Sequence, residues 1–203
     1  MANIANAAAR SYRSPLREEQ AEQTRARILD AAVRVMARGV ASLSIPAIAR
    51  EAGVSVPTVY RHFGSKEDLL AELYPHVARR VGLDRLPDPV TLDDLRDGIR
   101  AIFEKVETYT ELELAAAASP AADEVRHATM PQRLKRLSRF ADSIQPRLAK
   151  ADRERITRLL VVLTASSSLR MWRDHLGASV DQAADDIDWV MRAAIDAARR
   201  SQE

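Results

Sequence analysis

The sequence predicts an all-α fold. Three observations carry that reading: only six glycines in 203 residues, an abundance of Ala, Arg, Leu, Asp and Glu, and apolar residues that recur at helical spacing. With 46% hydrophobic and 30% charged residues the composition is globular, which excludes collagen and wholesale disorder. A chain of 22.5 kDa removes roughly 70% of its extended surface on folding, enough for a real core.

The first helix runs from about Ser14 to Arg38, with Ile28, Ala31, Ala32, Val35 and Met36 on one stripe and Gly39 placed to end it. Ser44 can cap a short second helix to about Ala52, with Pro46 tolerated in its first turn and Ile45, Ile48 and Ala49 facing inward. Gly53, Val54 and Ser55 form a tight turn, in which glycine can take a left-handed conformation. Ser55 caps a third helix with Pro57 in its first turn and Val59 and Phe63 inward. Ser65 with Asp68 reads as a capping box opening a fourth helix, which carries Leu69, Leu70, Leu73 and Val77. Pro75 removes a hydrogen bond to the Ala71 carbonyl, so a kink or break is expected near Tyr74.

Leu83 to Val90, with Pro87 and Pro89, reads as a connector and the domain boundary, giving residues 1–82 and 83–203. Thr91 with Asp94 opens a long helix to about Ala118, and Ser119 with Pro120 a short one. Thr129 with Gln132 opens a helix to Gln145, Asp152 caps the next to about Leu176, and Ser179 with Gln182 starts the last, to about Arg200. About nine helices are expected in all.

The longest stretches free of Lys, Arg, Asp and Glu are eleven residues, far short of the ~20 that span a bilayer, so no membrane partner is expected. The N-terminal order of uncharged residues before Arg10 does not suit a secretory signal, and a cytoplasmic setting is the default. The absence of cysteine excludes disulfides and thiolate chemistry. His62, His76, His127 and His175 are isolated, and no nucleophile elbow, dinucleotide fingerprint or phosphate loop is present. Neither an enzyme, nor a metal, nor a cofactor is indicated. Net charge is only +2, but residues 1–82 carry twelve basic and eight acidic side chains, which suggests an anion-seeking N-terminal part.

Two short helices joined by a glycine turn and braced by a longer one form the helix-turn-helix pattern, whose second helix enters the DNA major groove. Ile48, Ala49, Val54 and Val59 would fix the crossing, and Ala49 and Ala52 allow close approach. The pattern alone also describes an ordinary αα-hairpin.

The run from Thr24 to Tyr74, with ILDAA, the Ser44-Ile45 pair before IAREAGVS, and TVYRHFGSKEDLL, strongly resembles the DNA-binding domain of the TetR family of transcriptional regulators. The resemblance implies a homodimer that binds a palindromic double-stranded operator and, usually, releases it when a small molecule enters the C-terminal domain. The C-terminal part fits that family only in length and helix content.

On this resemblance the DNA-facing set is Ser44, Ser55, Val56, Pro57, Thr58, Tyr60, Arg61, His62 and Lys66. Thr58 and Arg61 are candidates for base edges, Arg61 suiting a guanine. Tyr60, His62, Ser44 and Lys66 look like phosphate contacts, the last beside a helix N-terminus that favours anions. Tyr60 also suits a half-buried core position. Val56 and Pro57, where the family often has small residues, could read a thymine methyl or only stiffen the helix. Arg10, Arg13 and Arg17 could form a minor-groove arm or a solvated tail.

The last two helices in the resembled family dimerise the protein. Leu159, Leu160, Leu163, Ser167, Ile187, Val190, Met191 and Ala194 are the candidates for that interface, with packing inside one subunit as the alternative. Phe103, Tyr109, Met130, Leu134, Leu137, Phe140 and Trp172 are candidates to line an effector pocket, or plain core. Glu104, Glu107, Glu111 and Glu113 could meet a cationic ligand or form a solvated face. The expected function is repression relieved by an effector; the alternative is a constitutive DNA-binding or scaffold protein without ligand control.

Overall fold

The structure is a computed structural model that describes residues 15–144 and 147–201; the expected helix end at Gln145, and Arg10 and Arg13 of the arm, lie outside them. Among the described residues there are ten α-helices and no strand. Four make the N-terminal head: α1 (Pro15–Ala37), α2 (Ile45–Ala52), α3 (Val56–Phe63) and α4 (Lys66–Val81). After a short 3₁₀ turn (Leu83–Arg85) follow α5 (Leu92–Glu107), α6 (Glu111–Ala118), α7 (Ala122–Ile144), α8 (Lys150–Leu163), α9 (Ser166–Arg170) and α10 (Val180–Arg200). No helix among the described residues is long and apolar enough to cross a membrane.

The head core gathers Ile28, Leu29, Ala32, Ile48, Ala49, Val59, Phe63, Leu69 and Leu73 from all four helices. It also takes in Ala116, Ala121 and Ala122, so the α6–α7 corner of the body is packed into the head. There the Ala121 N–H donates to the Val40 carbonyl (3.3 Å). The second core joins α5, α7, α8, α9 and α10 around Ile99, Phe103, Phe140, Leu160, Ile187 and Met191.

Several element boundaries differ from those the sequence suggests. The long helix expected from Thr91 to Ala118 is two helices, because Thr110 and Glu113 form a full capping box: the Thr110 hydroxyl accepts from the Glu113 N–H (3.3 Å), and the Glu113 carboxylate accepts from the Thr110 N–H (2.8 Å). Conversely, α7 runs unbroken past Thr129, whose hydroxyl donates back to the Val125 carbonyl (2.9 Å) instead of capping. Pro131 lies inside it. The helix expected to reach Leu176 stops at Leu163, and the chain resumes as α9 and a five-residue π turn over Met171–His175. The break expected near Tyr74 is absent: α4 continues through Pro75 as one element.

Candidate nucleic-acid interface

Local chemistry builds the head's two short helices. The Ser44 hydroxyl accepts from the Ala47 N–H (3.3 Å) to start α2, and Gly53, in the left-handed region at φ 66°, ends it by donating to the α2 carbonyls. The Ser55 hydroxyl caps α3 by accepting from the Thr58 N–H (3.2 Å). Pro46 and Pro57 each sit in a first turn, where the missing N–H costs nothing. Val59 and Phe63 are buried against Ile48 and Ala49, which orients the rest of α3 outward.

On that outward side Pro57, Tyr60 and Arg61 are exposed, while Val56, Thr58 and His62 are half-buried. Tyr60 keeps 46% of its surface open, so its ring is not a core element here. Thr58 and Arg61 share one face, three residues apart, with an Arg61 Nη2 donating to Thr58 Oγ1 at 3.4 Å. The same Thr58 hydroxyl lies 2.9 Å from Ser55 Oγ. Arg61 therefore rests against the helix cap rather than on a carboxylate, and its guanidinium keeps its fork of donors for an outside acceptor. Burial, reinforced by Arg61 and Arg25, lowers the His62 pKa from 6.5, which favours a neutral imidazole.

Two cationic positions behave unexpectedly. Lys66, at the first position of α4, does not stand free: its Nζ lies 2.5 Å from Glu124 Oε2, on α7 of the body. The other oxygen of that carboxylate accepts from the Leu43 N–H (3.0 Å), next to the α2 cap. Arg25, on α1, is the residue that fixes the far end of α3. Its Nε donates to Glu72 Oε2 (3.0 Å), another N–H donates to the His62 carbonyl, and its guanidinium lies 4.2 Å from the Phe63 ring centroid. Glu51 similarly ties α2 to α1 through Arg34 (2.8 Å) and Arg38, whose hydrogen bonds hold its carboxyl below the ordinary range. Sequence reading singles out none of Arg25, Glu51 and Glu124, because their partners are 47, 17 and 81 positions away.

The head and body are also joined through Arg80, which donates to Asp30 (3.0 Å) on α1 and to Glu113 (2.8 Å) on α6. His76 meets the same Asp30 at 2.7 Å. Glu113 is buried at 4% exposure, which corrects the solvated face expected of it; Glu104, Glu107 and Glu111 are exposed.

The residues expected around an effector are not brought to one cavity. Phe103, Leu137 and Phe140 are core, Met130, Tyr109 and Trp172 are half-buried, and Leu134 lies on the rim of an open groove of about 490 Å³ between α7 and α8. Burial, with Tyr74 and Glu113 nearby, pushes the Tyr109 hydroxyl up to about 12. Phe103 does border a small cavity of about 20 Å³, shared with Glu107, Leu169, Arg170 and Arg173, which is water-sized. Of the expected interface set, Leu160, Ile187 and Met191 are fully buried in the subunit's own core and so are not available to a second copy. Leu159, Leu163, Val190 and Ala194 are half-buried and Ser167 is exposed. The open face of α10 instead presents Trp189, 72% exposed, with Ala193 and Ala197.

Comparison with known proteins matches this geometry. The family model described as "Bacterial regulatory proteins, tetR family" fits residues 28–73. The transcriptional regulator SrpR of Pseudomonas putida is 41% identical over 70 residues, 34% of this chain and 33% of its own length. AcrR of Shigella flexneri is 38% identical over 66 residues, 32% of this chain and 31% of its own. The aligned region thus spans about a third of the length of these relatives. Among solved structures, NalD, described as the secondary repressor of the MexAB-OprM multidrug efflux pump in Pseudomonas aeruginosa, shares the fold at a TM-score of 0.58 and 21% identity, covering 86% of this chain and 96% of that one. A TetR-like transcriptional regulator from Rhodococcus sp. RHA1 shares it at 0.51 and 23%, covering 86% and 95%. The head, over residues 28–73, thus matches the tetR family of bacterial regulatory proteins and resembles the same region of known transcriptional regulators, and most of the chain shares the fold of NalD and of the Rhodococcus protein.

Proposed function

We propose that the protein is a sequence-specific DNA-binding transcriptional regulator that acts as a homodimeric repressor on a palindromic operator and leaves it when a small effector occupies the body. One observation carries the DNA reading: α3 buries Val59 and Phe63 and turns Thr58, Tyr60 and Arg61 outward on a short capped rod. Arg61 reads a base edge, Tyr60 and Ser44 meet the phosphate backbone, and Thr58 orients Arg61. The division into a DNA-binding part over residues 1–82 and a regulatory part over residues 83–203 is supported by the two cores, with the α6–α7 corner as the piece of the body that reaches the head.

Pairing is supported by the exposed Trp189–Ala193–Ala197 face of α10, an apolar strip of the kind that a two-fold interface covers. Two half-sites one helical turn apart require about 34 to 36 Å between the paired α3 helices. The joints between head and body at Arg80 and Glu113 give an effector a route to alter that spacing. An effector must first open space beside Phe103, since the cavity there is water-sized.

Selection of the purified chain against a randomised duplex pool tests the reading. A palindromic consensus is expected, and Arg61→Ala should relax the preference at one base pair of each half-site. Equal recovery of all sequences by the wild-type chain would remove the sequence-specific function.

A further inference from the structure

Glu124 is the third residue of α7, yet both of its carboxylate oxygens are engaged by the head. One accepts from the Leu43 N–H at 3.0 Å and the other meets Lys66 Nζ at 2.5 Å. Leu43 immediately precedes the Ser44 cap of α2, and Lys66 opens α4, so a single body carboxylate bridges the starts of two head helices. A backbone N–H at a helix start together with an ammonium is the donor set by which proteins grip a phosphodiester oxygen. The carboxylate is held there firmly: two residues earlier Ala122 is buried in the head core, and Ala121 donates its N–H to the Val40 carbonyl. Yet the Lys66 and Glu124 side chains keep 31% and 26% of their surface open, so an incoming anion can reach the pair.

We propose that Glu124 is an internal stand-in for a DNA phosphate, a body-borne carboxylate that occupies the Leu43 amide and the Lys66 ammonium in the unbound protein and must yield both when a duplex docks. The proposal rests on the DNA-binding reading and deepens it, because it makes DNA affinity depend on how the start of α7 sits against the head. A shift of α7 that withdraws the carboxylate releases two donors to the phosphate backbone; one that presses it home withholds them. In the wild-type chain Lys66 is already neutralised by Glu124, so its exchange onto a phosphate displaces no additional counterion. With Glu124 removed, Lys66 adds a full phosphate contact.

The test uses the full chain and a fluorescent mixed-sequence duplex of about 30 bp, long enough for two half-sites. Anisotropy titrations from about 50 to 200 mM KCl compare wild type, Glu124→Gln, Lys66→Gln and the double variant. Glu124→Gln should bind about three- to fivefold tighter at the low-salt end, the range of an exposed ion pair, and its salt slope should steepen by about 0.9. In the Lys66→Gln background the Glu124→Gln change should lose most of its effect and all of its change in salt slope, because only the uncharged Leu43 amide remains for the carboxylate to withhold. That control separates the latch from a folding defect, which would act equally in both backgrounds. Binding by Glu124→Gln at wild-type strength and slope, or weaker binding, overturns the latch while leaving the DNA reading intact. If neither wild type nor Glu124→Gln binds the duplex, the DNA reading falls and takes the latch with it.

Discussion

The sharpest expectation from the head's geometry concerns Arg25, which touches no solvent-facing surface of α3 and yet holds its C-terminal end. Replacing it with Met keeps much of the aliphatic packing and removes three interactions: the paired hydrogen bonds to Glu72, the donation to the His62 carbonyl and the stacking over Phe63 at 4.2 Å. Hydrogen bonds to charged groups contribute about 1.5 to 3 kcal/mol and a partly exposed cation over a ring about 0.5 to 1. Arg25 and Glu72 retain 25% and 37% of their side-chain surface, so Glu72 can rehydrate once unpaired and the upper end of that range does not apply. The net loss is about 2 kcal/mol, which for a chain of this length lowers the melting temperature by about 4 to 8 °C. Arg25→Lys should fall between, since an ammonium cannot reproduce the two-pronged contact with Glu72. Thermal unfolding followed by circular dichroism reads the effect directly. A melting temperature within about 1 °C of wild type for Arg25→Met would refute the bracing role.

Three further outcomes follow from the same geometry. Ser55→Ala should cost about 1 kcal/mol in urea unfolding by removing the α3 cap, whereas Ser55→Asn should recover most of it. His62 should titrate below 6.5 in an NMR pH series, and because the unfolded chain then binds the extra proton, the stability it contributes is complete above that value and is lost as pH falls through the lower folded value; His62→Gln should flatten the dependence. On the proposed pairing through α10, Trp189→Arg should halve the mass seen by light scattering, since the ring is 72% exposed within the subunit, and a dimer that survives would move the interface elsewhere.

How far the sequence was legible follows the range of each interaction. The starts and stops of α2 and α3 were readable because each depends on a residue within four positions: Ser44 on Ala47, Ser55 on Thr58, Gly53 on Ala49 and Arg50. The same short-range logic misplaced the body helices where two local signals competed. Thr110 with Glu113 is as good a capping box as Thr91 with Asp94, and both are used, so one expected helix became two. Thr129 with Gln132 looked equivalent but lies where the Thr129 hydroxyl already finds the Val125 carbonyl, and α7 runs on. The apolar stripes of α8 and α10 told which faces are buried but not by what, so Leu160, Ile187 and Met191 read equally well as an interface and as the core they are. Arg25 and Glu124 carry no local pattern at all, and the capping box of Glu113 says nothing of Arg80; the tertiary roles of all three come from Glu72, Lys66 and Arg80 across the fold.

The insertion of the α6–α7 corner into the head bears on whether the first 82 residues can act alone. A fragment ending at Gly82 would contain every residue of α1 to α4 and the whole set proposed to face DNA. It would lose Ala116, Ala121 and Ala122 from its core, which leaves the apolar surface they cover open to water. It would also leave Arg80 without Glu113 and Lys66 without Glu124, and free the Val40 carbonyl and the Leu43 N–H, which these body residues satisfy. The cations left behind, Arg80 and Lys66, are partly exposed and rehydrate once unpaired, so the apolar loss decides: three alanine-sized contacts at about 25 cal/mol per Å² amount to roughly 1 to 3 kcal/mol, a large share of what a domain this small can muster. Residues 1–82 should therefore unfold at a lower urea concentration than the full chain while keeping helical circular dichroism in buffer. A fragment as resistant to urea as the intact protein would mean that the corner rests on the head without stabilising it, and a signal passing from the body to α3 through that corner would then lack a mechanical basis.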